Sequence, residues 1–136
     1  MIIDKMVFSD AQTITASAAT TAGTDTLDTE AAASNIGGGT PLWLVCRVST
    51  AFTTASAGDT LIADLENSAT SGGTYTDVLK SATFTVGQLV KGFDILTVPL
   101  PVDNLRYLRM NYNYASGSGF TAGAINAFLT LNAPKN

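Results

Sequence analysis

The chemistry that this sequence could support begins with two carboxylates, Asp64 and Glu66, which are two positions apart. On a β-strand, which rises about 3.3 Å per residue, this spacing places both side chains on one face, roughly 7 Å apart. Paired carboxylates can act as general acid and general base, or they can bind calcium through oxygen. Two acidic residues with this spacing are also ordinary on a solvated strand face, and we favour that simpler interpretation.

A second acidic group, Asp25, Asp28 and Glu30, could surround a calcium ion in a loop. The group lacks the alternating oxygen ligands and the fixed glycine of an EF-hand loop, so a solvated loop is the favoured interpretation. We therefore predict no metal and no cofactor for this chain.

The sequence lacks most of the residues that usually carry out nucleophilic catalysis, because it has no histidine and only one cysteine, Cys46. Ser-His-Asp and Cys-His arrangements are therefore excluded, as are zinc sites built from His and Cys. Lys80 and Ser81 are adjacent and would point to opposite faces of a strand, which disfavours a Ser-Lys pair. The glycines at 37–39 lead into a proline and a strand, whereas a phosphate-binding loop leads into a helix. We predict that the protein is not an enzyme.

Composition narrows the possible partners. The 136 residues fit one domain spanning 1–136, and only 13% of them are charged while 46% are hydrophobic. The net charge of -4 leaves no excess of Lys or Arg to bind a nucleic acid backbone, so nucleic acid binding is not expected. No stretch approaches the ~18 apolar residues that cross a bilayer, and residues 1–8 lack the features of a signal peptide. We expect a soluble protein made in a cytoplasm, with Cys46 as a small buried hydrophobe.

The elements that would position these side chains are clearest between Leu96 and Tyr114, where two β-rich runs lie on either side of Pro99 and Pro101. The second run alternates strictly, so its residues divide between two faces of one strand. One face can join a core, and it carries Arg106, Leu108, Met110, Tyr112 and Tyr114. The other face suits contacts with solvent or with another protein, and it carries Leu105, Tyr107, Arg109, Asn111 and Asn113.

Other stretches predict further strands. Residues 42–49 predict a central strand covered on both sides, and residues 59–66 predict a strand with Leu61, Ala63 and Leu65 inward. Residues 13–33 favour extended chain and loop over a helix, because threonine is β-branched. The glycine-containing turn at 115–119 predicts that the last two strands, 105–114 and 120–131, form a hairpin.

Six to eight short strands with frequent turn signals and no convincing helix predict an all-β protein, an antiparallel β-sandwich of jelly-roll type. The domain would carry an N-terminal arm at residues 1–12. A regular meander is the competing topology, because alternation does not reveal which strands pair.

Several short stretches, taken in order along the chain, carry a resemblance to a known family. They are Ile2-Ile3-Asp4-Lys5, Phe8-Ser9-Asp10-Ala11-Gln12, Ile36-Gly37-Gly38-Gly39-Thr40-Pro41-Leu42-Trp43-Leu44 and Leu105-Arg106-Tyr107-Leu108-Arg109-Met110-Asn111-Tyr112. The similarity continues through residues 72–78 and 120–123. Together these stretches resemble the capsid cement proteins of tailed bacteriophages, the jelly-roll group typified by the Bordetella phage cement protein.

This resemblance implies a non-enzymatic virion protein on the outer surface of an icosahedral head. Such proteins form small homo-oligomers, dimers or trimers, that sit across junctions between major capsid subunits and brace the shell against packaged DNA. On this hypothesis the partners are the major capsid protein and further copies of the chain, with no nucleic acid and no membrane.

The candidate contacts with the shell are two groups of residues. The first is the N-terminal arm, with Ile2, Ile3, Met6 and Phe8, because these apolar residues have no obvious sheet partner; the alternative is that they cover one end of the sandwich. The second is Tyr107 and Arg109, since Tyr and Arg are favoured interface anchors. The alternative for this pair is an edge residue and an internal ion pair.

A carbohydrate-binding module, or a virion adhesin, is the alternative function. Sugar sites stack rings on flat aromatic faces, and Trp43, Tyr107, Tyr112 and Tyr114 could supply them. Alternation divides these aromatic residues between faces, however, so that some of them must belong to the core.

Overall fold

The computed structural model of the protein describes residues 2–14, 20–29, 41–54, 58–101, 104–115 and 119–131. These ranges contain β-strands and no helix, and therefore no helix that could span a membrane. The strands are β1 (Ile2–Thr13), β2 (Thr20–Asp28), β3 (Trp43–Thr54), β4 (Thr60–Ser68), β5 (Thr76–Lys80), β6 (Phe84–Thr85), β7 (Asp94–Pro99), β8 (Tyr107–Ala115) and β9 (Phe120–Thr130).

The strands form two antiparallel sheets. The first has the order β1-β9-β3-β7, and the second has the order β2-β8-β4-β5, with β6 also paired to β4. Four of the pairs are nested along the chain, because β1 pairs with β9, β2 with β8, β3 with β7 and β4 with β5. One long hairpin rolled into two sheets in this way is a jelly roll. The predicted jelly-roll β-sandwich is confirmed, and the meander is wrong.

Period-two alternation places the core between the two sheets. Leu44, Cys46 and Val48 of β3 face Leu108, Met110 and Tyr112 of β8 across this interior, and all six are at most 1% exposed. The inward assignment of Leu61, Ala63 and Leu65 on β4 is confirmed, since each is fully buried. Strand β3 is central, as predicted, although its outer face is covered only in part: Val45 is buried there, while Trp43 and Arg47 are half-buried.

The predicted hairpin between the last two strands is wrong. Strand β8 lies in the second sheet between β2 and β4, whereas β9 lies in the first sheet between β1 and β3. A tight turn fixes where the chain reverses but not whether the next strand stays in the same sheet. Both strands have an apolar inner face, so crossing to the opposite sheet lets the two faces pack on one core.

The N-terminal arm is also corrected. Residues 2–13 form β1, whose backbone pairs with β9 from Ile2 opposite Thr130 to Thr13 opposite Ala124, with three register shifts. Each bulge inserts a residue and changes which side chains face inward, so residues 2–13 lack the regular alternation that would predict a strand. Of the segment predicted to be extended chain and loop, residues 20–28 form β2. The glycines at 37–39 lie outside the described residues.

Candidate functional site

The outward side chains of β4 and β8 form a polar layer on the second sheet. We call this layer the polar face and define it by Asp64, Glu66, Tyr107, Arg109, Asn111 and Asn113. The strand register brings its members together, because Asp64 lies opposite Asn111 and Glu66 lies opposite Arg109. The division of the β8 residues into a core face and an outer face is therefore as predicted, and the two carboxylates belong to the same layer.

Arg109 is held in place by Glu66 and by Tyr75. Its Nε donates to Glu66 Oε2 at 2.8 Å, and its guanidinium carbon lies 3.9 Å from the centre of the Tyr75 ring. Asn111 Nδ2 donates to the other oxygen of Glu66 at 3.2 Å. Of the two roles considered for Arg109, a contact with the shell and an internal ion pair, the structure contains the ion pair. Nevertheless, 31% of the Arg109 side chain stays exposed. Sequence reasoning did not single out Tyr75, because its contact with Arg109 depends on how distant strands pair.

Asp64 is fully buried although it points away from the core. Asn113 Nδ2 donates to its Oδ2, and Lys80 Nζ lies 3.8 Å from the same oxygen. Its Oδ1 has no hydrogen-bond partner among the residues that the structure describes. Burial raises the pKa of Asp64, and the positive charge of Lys80 opposes this effect. Glu66 is only 7% exposed. The expectation that these carboxylates are solvated is wrong, because side chains from β5 and β8 cover them.

Tyr107 lies at one end of the polar face, opposite Ser68 on β4 and Asp28 on β2. The Arg106 guanidinium carbon is 5.1 Å from the centre of its ring. Arg106 Nε and Nη2 donate to the two oxygens of Asp28 at 2.7 and 2.9 Å. A half-exposed tyrosine is therefore oriented by a neighbouring ion pair, and its ring is accessible at the edge of the face.

The candidate contact residues of the N-terminal segment differ in burial. Phe8 is fully buried in the core, so its assignment as a contact residue is wrong. Met6 is half-buried and packs against the core. Ile2 and Ile3 belong to the backbone of β1, but their side chains lie outside the described part of the structure.

The aromatic residues do not assemble into a sugar-binding surface. Tyr112 is fully buried and Tyr114 is 9% exposed, so their candidacy is wrong. Trp43 and Tyr107 are on different sheets. Cys46 is fully buried, which confirms its role as a small hydrophobe, and burial raises the pKa of its thiol far above the ordinary value.

The acidic group predicted as a solvated loop is instead part of β2. Asp25 and Asp28 are exposed residues of that strand, and Asp28 is paired with Arg106. Glu30 lies outside the described residues. Within the described ranges, no three residues among His, Cys, Asp and Glu are grouped so that they could hold a metal ion.

A pocket between β1 and β9 was not predicted. It has a volume of about 210 Å³ and is lined by Val7, Ser9, Asp10, Asn126 and Phe128. Two of the register shifts in β1 flank Ser9, and such irregularities disrupt the hydrogen-bonded ladder locally. Sequence reasoning missed this pocket, because it depends on how β1 pairs with β9.

Ala11 lies next to this pocket in the sequence, at the register shift of β1 between Ser9 and Gln12. Its φ of 46° lies in the left-handed region, which costs a non-glycine residue roughly 1–2 kcal/mol. The Ala11 N–H donates to Asn126 Oδ1 at 2.5 Å, so the amide of β9 holds the bulge of β1. The neighbouring carboxylate of Asp10 is exposed.

Comparison with known proteins gives one positive result. No match is found among curated proteins. The family model described as Bbp16 matches residues 8–129, which include every strand from β2 to β8, half of β1 and most of β9. Because this match covers far more than half of the chain, the protein belongs to the Bbp16 family, a phage-related family whose name points to a Bordetella phage.

Proposed function

We propose that this protein is a structural virion protein that binds the outer surface of an icosahedral phage head and cements adjacent major capsid subunits. The observation that carries the proposal is the family match over residues 8–129. A jelly roll supports many functions, so the fold alone would not identify this one. The protein would have no catalytic activity and no cofactor, and it would be made in the host cytoplasm before it joins the virion.

The polar face is the surface that we propose for the shell contact. Arg and Tyr are enriched among the residues that dominate binding energy at interfaces. Arg109 is already fixed by Glu66 and by the Tyr75 ring, and the Tyr107 ring is stacked against Arg106. Side chains that are ordered before binding lose little conformational entropy when a partner docks. Tyr107 supplies the exposed ring, and Arg109 supplies the remaining accessible edge of the guanidinium.

The proposed mechanism is multivalent bridging by a small homo-oligomer, a dimer or a trimer. Each contact with a capsid subunit can be weak, because a protein that holds two subunits gives the second contact a high effective concentration. If the contact surface exists only in the expanded head, binding also stabilises that state through differential affinity. Strand β1, with Ile2, Ile3 and Met6, is the second surface that could reach a neighbour.

The first experiment is co-sedimentation of the purified protein with expanded heads that lack it, titrated to saturation. We expect binding that saturates at a simple ratio to the major capsid protein. Tyr107→Ser should reduce the affinity, because it removes the exposed ring. Val90→Ser is the matched control, since Val90 is 53% exposed on the loop between β6 and β7.

Two results would contradict the proposal. Absence of saturable binding to cognate heads would reject the cement function, and a screen against glycans would then test the adhesin alternative. Equal affinity of Tyr107→Ser and Val90→Ser would leave cementing in place but would exclude the polar face as the contact surface.

A further inference from the structure

The pocket between β1 and β9 combines an apolar wall with an acidic rim. Val7 and Phe128 lie opposite each other in the strand register and are half-buried. Asp10 is exposed beside them, and no ion-pair partner for its carboxylate is found among the described residues. A site with a flat ring and a carboxylate at its mouth favours a long cationic side chain over an anionic or a purely apolar one.

The protein itself builds this combination twice, each time around an arginine. Arg109 pairs with Glu66 and lies over the Tyr75 ring. Arg106 pairs with Asp28 and lies over the Tyr107 ring. In both places a carboxylate fixes one edge of the guanidinium while an aromatic ring contacts it.

The pocket has the carboxylate and the ring but no arginine. None of the arginines in the sequence can complete it, because Arg47 is bound to Asp94 on the same sheet, and Arg106 and Arg109 are bound to Asp28 and Glu66 on the other sheet. The chain also carries an excess of acidic over basic residues, with 11 against 7. An arginine in this pocket would therefore come from a partner.

We propose that this pocket receives an arginine side chain from a protein partner. The guanidinium stacks on Phe128 and donates to the Asp10 carboxylate, and the aliphatic stem packs on Val7. The bond from the Ala11 N–H to Asn126 Oδ1 keeps the bulge open, so the site is formed before the partner arrives. Naming the capsid protein as that partner rests on the proposed function, whereas the chemistry of the pocket does not.

The test uses two small probes and no heads. N-acetyl-arginine amide and its neutral isostere N-acetyl-citrulline amide are titrated into the isotopically labelled full chain, and amide shifts are followed by NMR. We expect the arginine probe to shift the resonances of residues 7, 10, 126 and 128, and to bind more tightly than citrulline. In Asp10→Asn the affinity for the arginine probe should fall by roughly threefold to tenfold, as for an exposed ion pair.

Asp25→Asn is the matched control, because Asp25 is an exposed acidic residue on β2, in the other sheet. Its affinity for the arginine probe should equal that of the wild type. Equal binding of both probes, or no effect of Asp10→Asn, would overturn the inference, and so would shifts that map away from the pocket.

The same variants separate this inference from the proposed function when they are titrated onto heads. If the wild type binds heads and Asp10→Asn binds equally well, cementing stands and the pocket plays no part in it. If the wild type does not bind heads but the arginine probe still occupies the pocket, the pocket inference stands and the proposed function fails.

Discussion

Arg109 belongs to the surface proposed for the shell contact, but it also pairs with a nearly buried carboxylate of the fold. Its removal would therefore test stability as well as binding. Its guanidinium covers Glu66, whose side chain is only 9% exposed. Removing the arginine therefore leaves a nearly buried carboxylate with one remaining donor, Asn111. A loss of head binding in such a variant would combine a lost contact with a weakened sheet, so Tyr107 is the cleaner probe.

We predict that Arg109→Ala lowers the free energy of unfolding by about 1–2 kcal/mol, because Glu66 loses its charged partner while staying largely out of water. Arg106→Ala is the matched control. This variant also removes an arginine that pairs with a carboxylate and contacts a ring. Because that carboxylate, Asp28, is 38% exposed, the loss in free energy of unfolding should stay below about 1 kcal/mol. Urea unfolding at pH 7 measures both, and equal losses would refute the assignment of Glu66 as a buried carboxylate.

Asp64 should make stability depend on pH in the direction opposite to most carboxylates. Burial raises its pKa above the ordinary value of 3.8. As the pH rises from 3.8 to the raised pKa, the unfolded chain has released the proton that the folded chain still holds, so folding stability declines over that window. Asp64→Asn cannot titrate, and its amide oxygen can still accept from Asn113.

We therefore predict that Asp64→Asn gains stability relative to the wild type as the pH is raised from below 4 to 7. Urea unfolding at a series of pH values measures the difference between the two proteins. The matched control is Asp25→Asn, which changes an exposed acidic residue on β2. Parallel curves for Asp64→Asn and the wild type would rule out a raised pKa at this site.

The residues show where prediction from sequence succeeds and where it stops. Alternation correctly divided β8 into a core face with Leu108 and Met110 and an outer face with Arg109, because a strand allows only two directions. It failed for Asp64, since the burial of an outward side chain depends on neighbours from other strands. The contact between Tyr75 and Arg109 joins positions 34 apart in sequence, and no local pattern encodes it.

At the scale of elements, β1 is attached to the rest of the molecule by polar as well as apolar contacts. The Tyr112 hydroxyl lies 2.8 Å from Ser9 Oγ in the interior, and Ser9 Oγ donates to Gln12 Oε1 at 2.7 Å. Gln12 in turn binds the backbone of β2, accepting from Thr24 N–H and donating to the Ala22 carbonyl. These bonds join the first sheet to the second along one edge, where both β1 and β2 are edge strands.

We predict that Tyr112→Phe costs about 0.5–1.5 kcal/mol, because it removes one buried hydrogen bond and keeps the ring. Amide hydrogen exchange should become faster in β1 than in β4, since the lost bond anchors β1. Tyr114→Phe is the control: its hydroxyl lies 3.2 Å from Thr21 Oγ1 on β2, so exchange in β1 should not change. Unchanged β1 exchange in Tyr112→Phe would show that this bond does not hold the strand.

Element positions were predicted better than element partners. The runs at 42–49, 59–66 and 105–114 each coincide with a strand, because each strand leaves an alternating pattern in its own residues. The choice of pairing partner leaves no pattern in the residues of a strand. The prediction that the turn at 115–119 joins two paired strands of one sheet is therefore wrong. The first strand was not recognised, since three register shifts break its alternation.

At the scale of the whole molecule, the nested pairing means that much of the chain must be ordered before its long-range contacts form. The outermost pair joins residue 2 to residue 130, and the loop between them must be closed before those contacts form. Proteins dominated by such long-range pairings fold slowly.

We predict that refolding takes roughly milliseconds to seconds after dilution from denaturant, as for other β-proteins of high contact order. Trp43 is the single tryptophan and lies half-buried on β3 between β9 and β7, so its fluorescence reports the assembly of the first sheet. Refolding on a microsecond timescale would contradict the dominance of long-range pairing.

The adjacency of β1 and β9 also determines how the molecule would respond to mechanical load. Tension applied through the two chain ends would act on neighbouring antiparallel strands, and their hydrogen bonds would then open one after another, as in a zipper. Tension transmitted between the outer faces of the two sheets would instead be shared by many strands and by the core at once. A bracing protein with this topology would therefore resist far more force when it is gripped by its faces than when it is pulled by its ends.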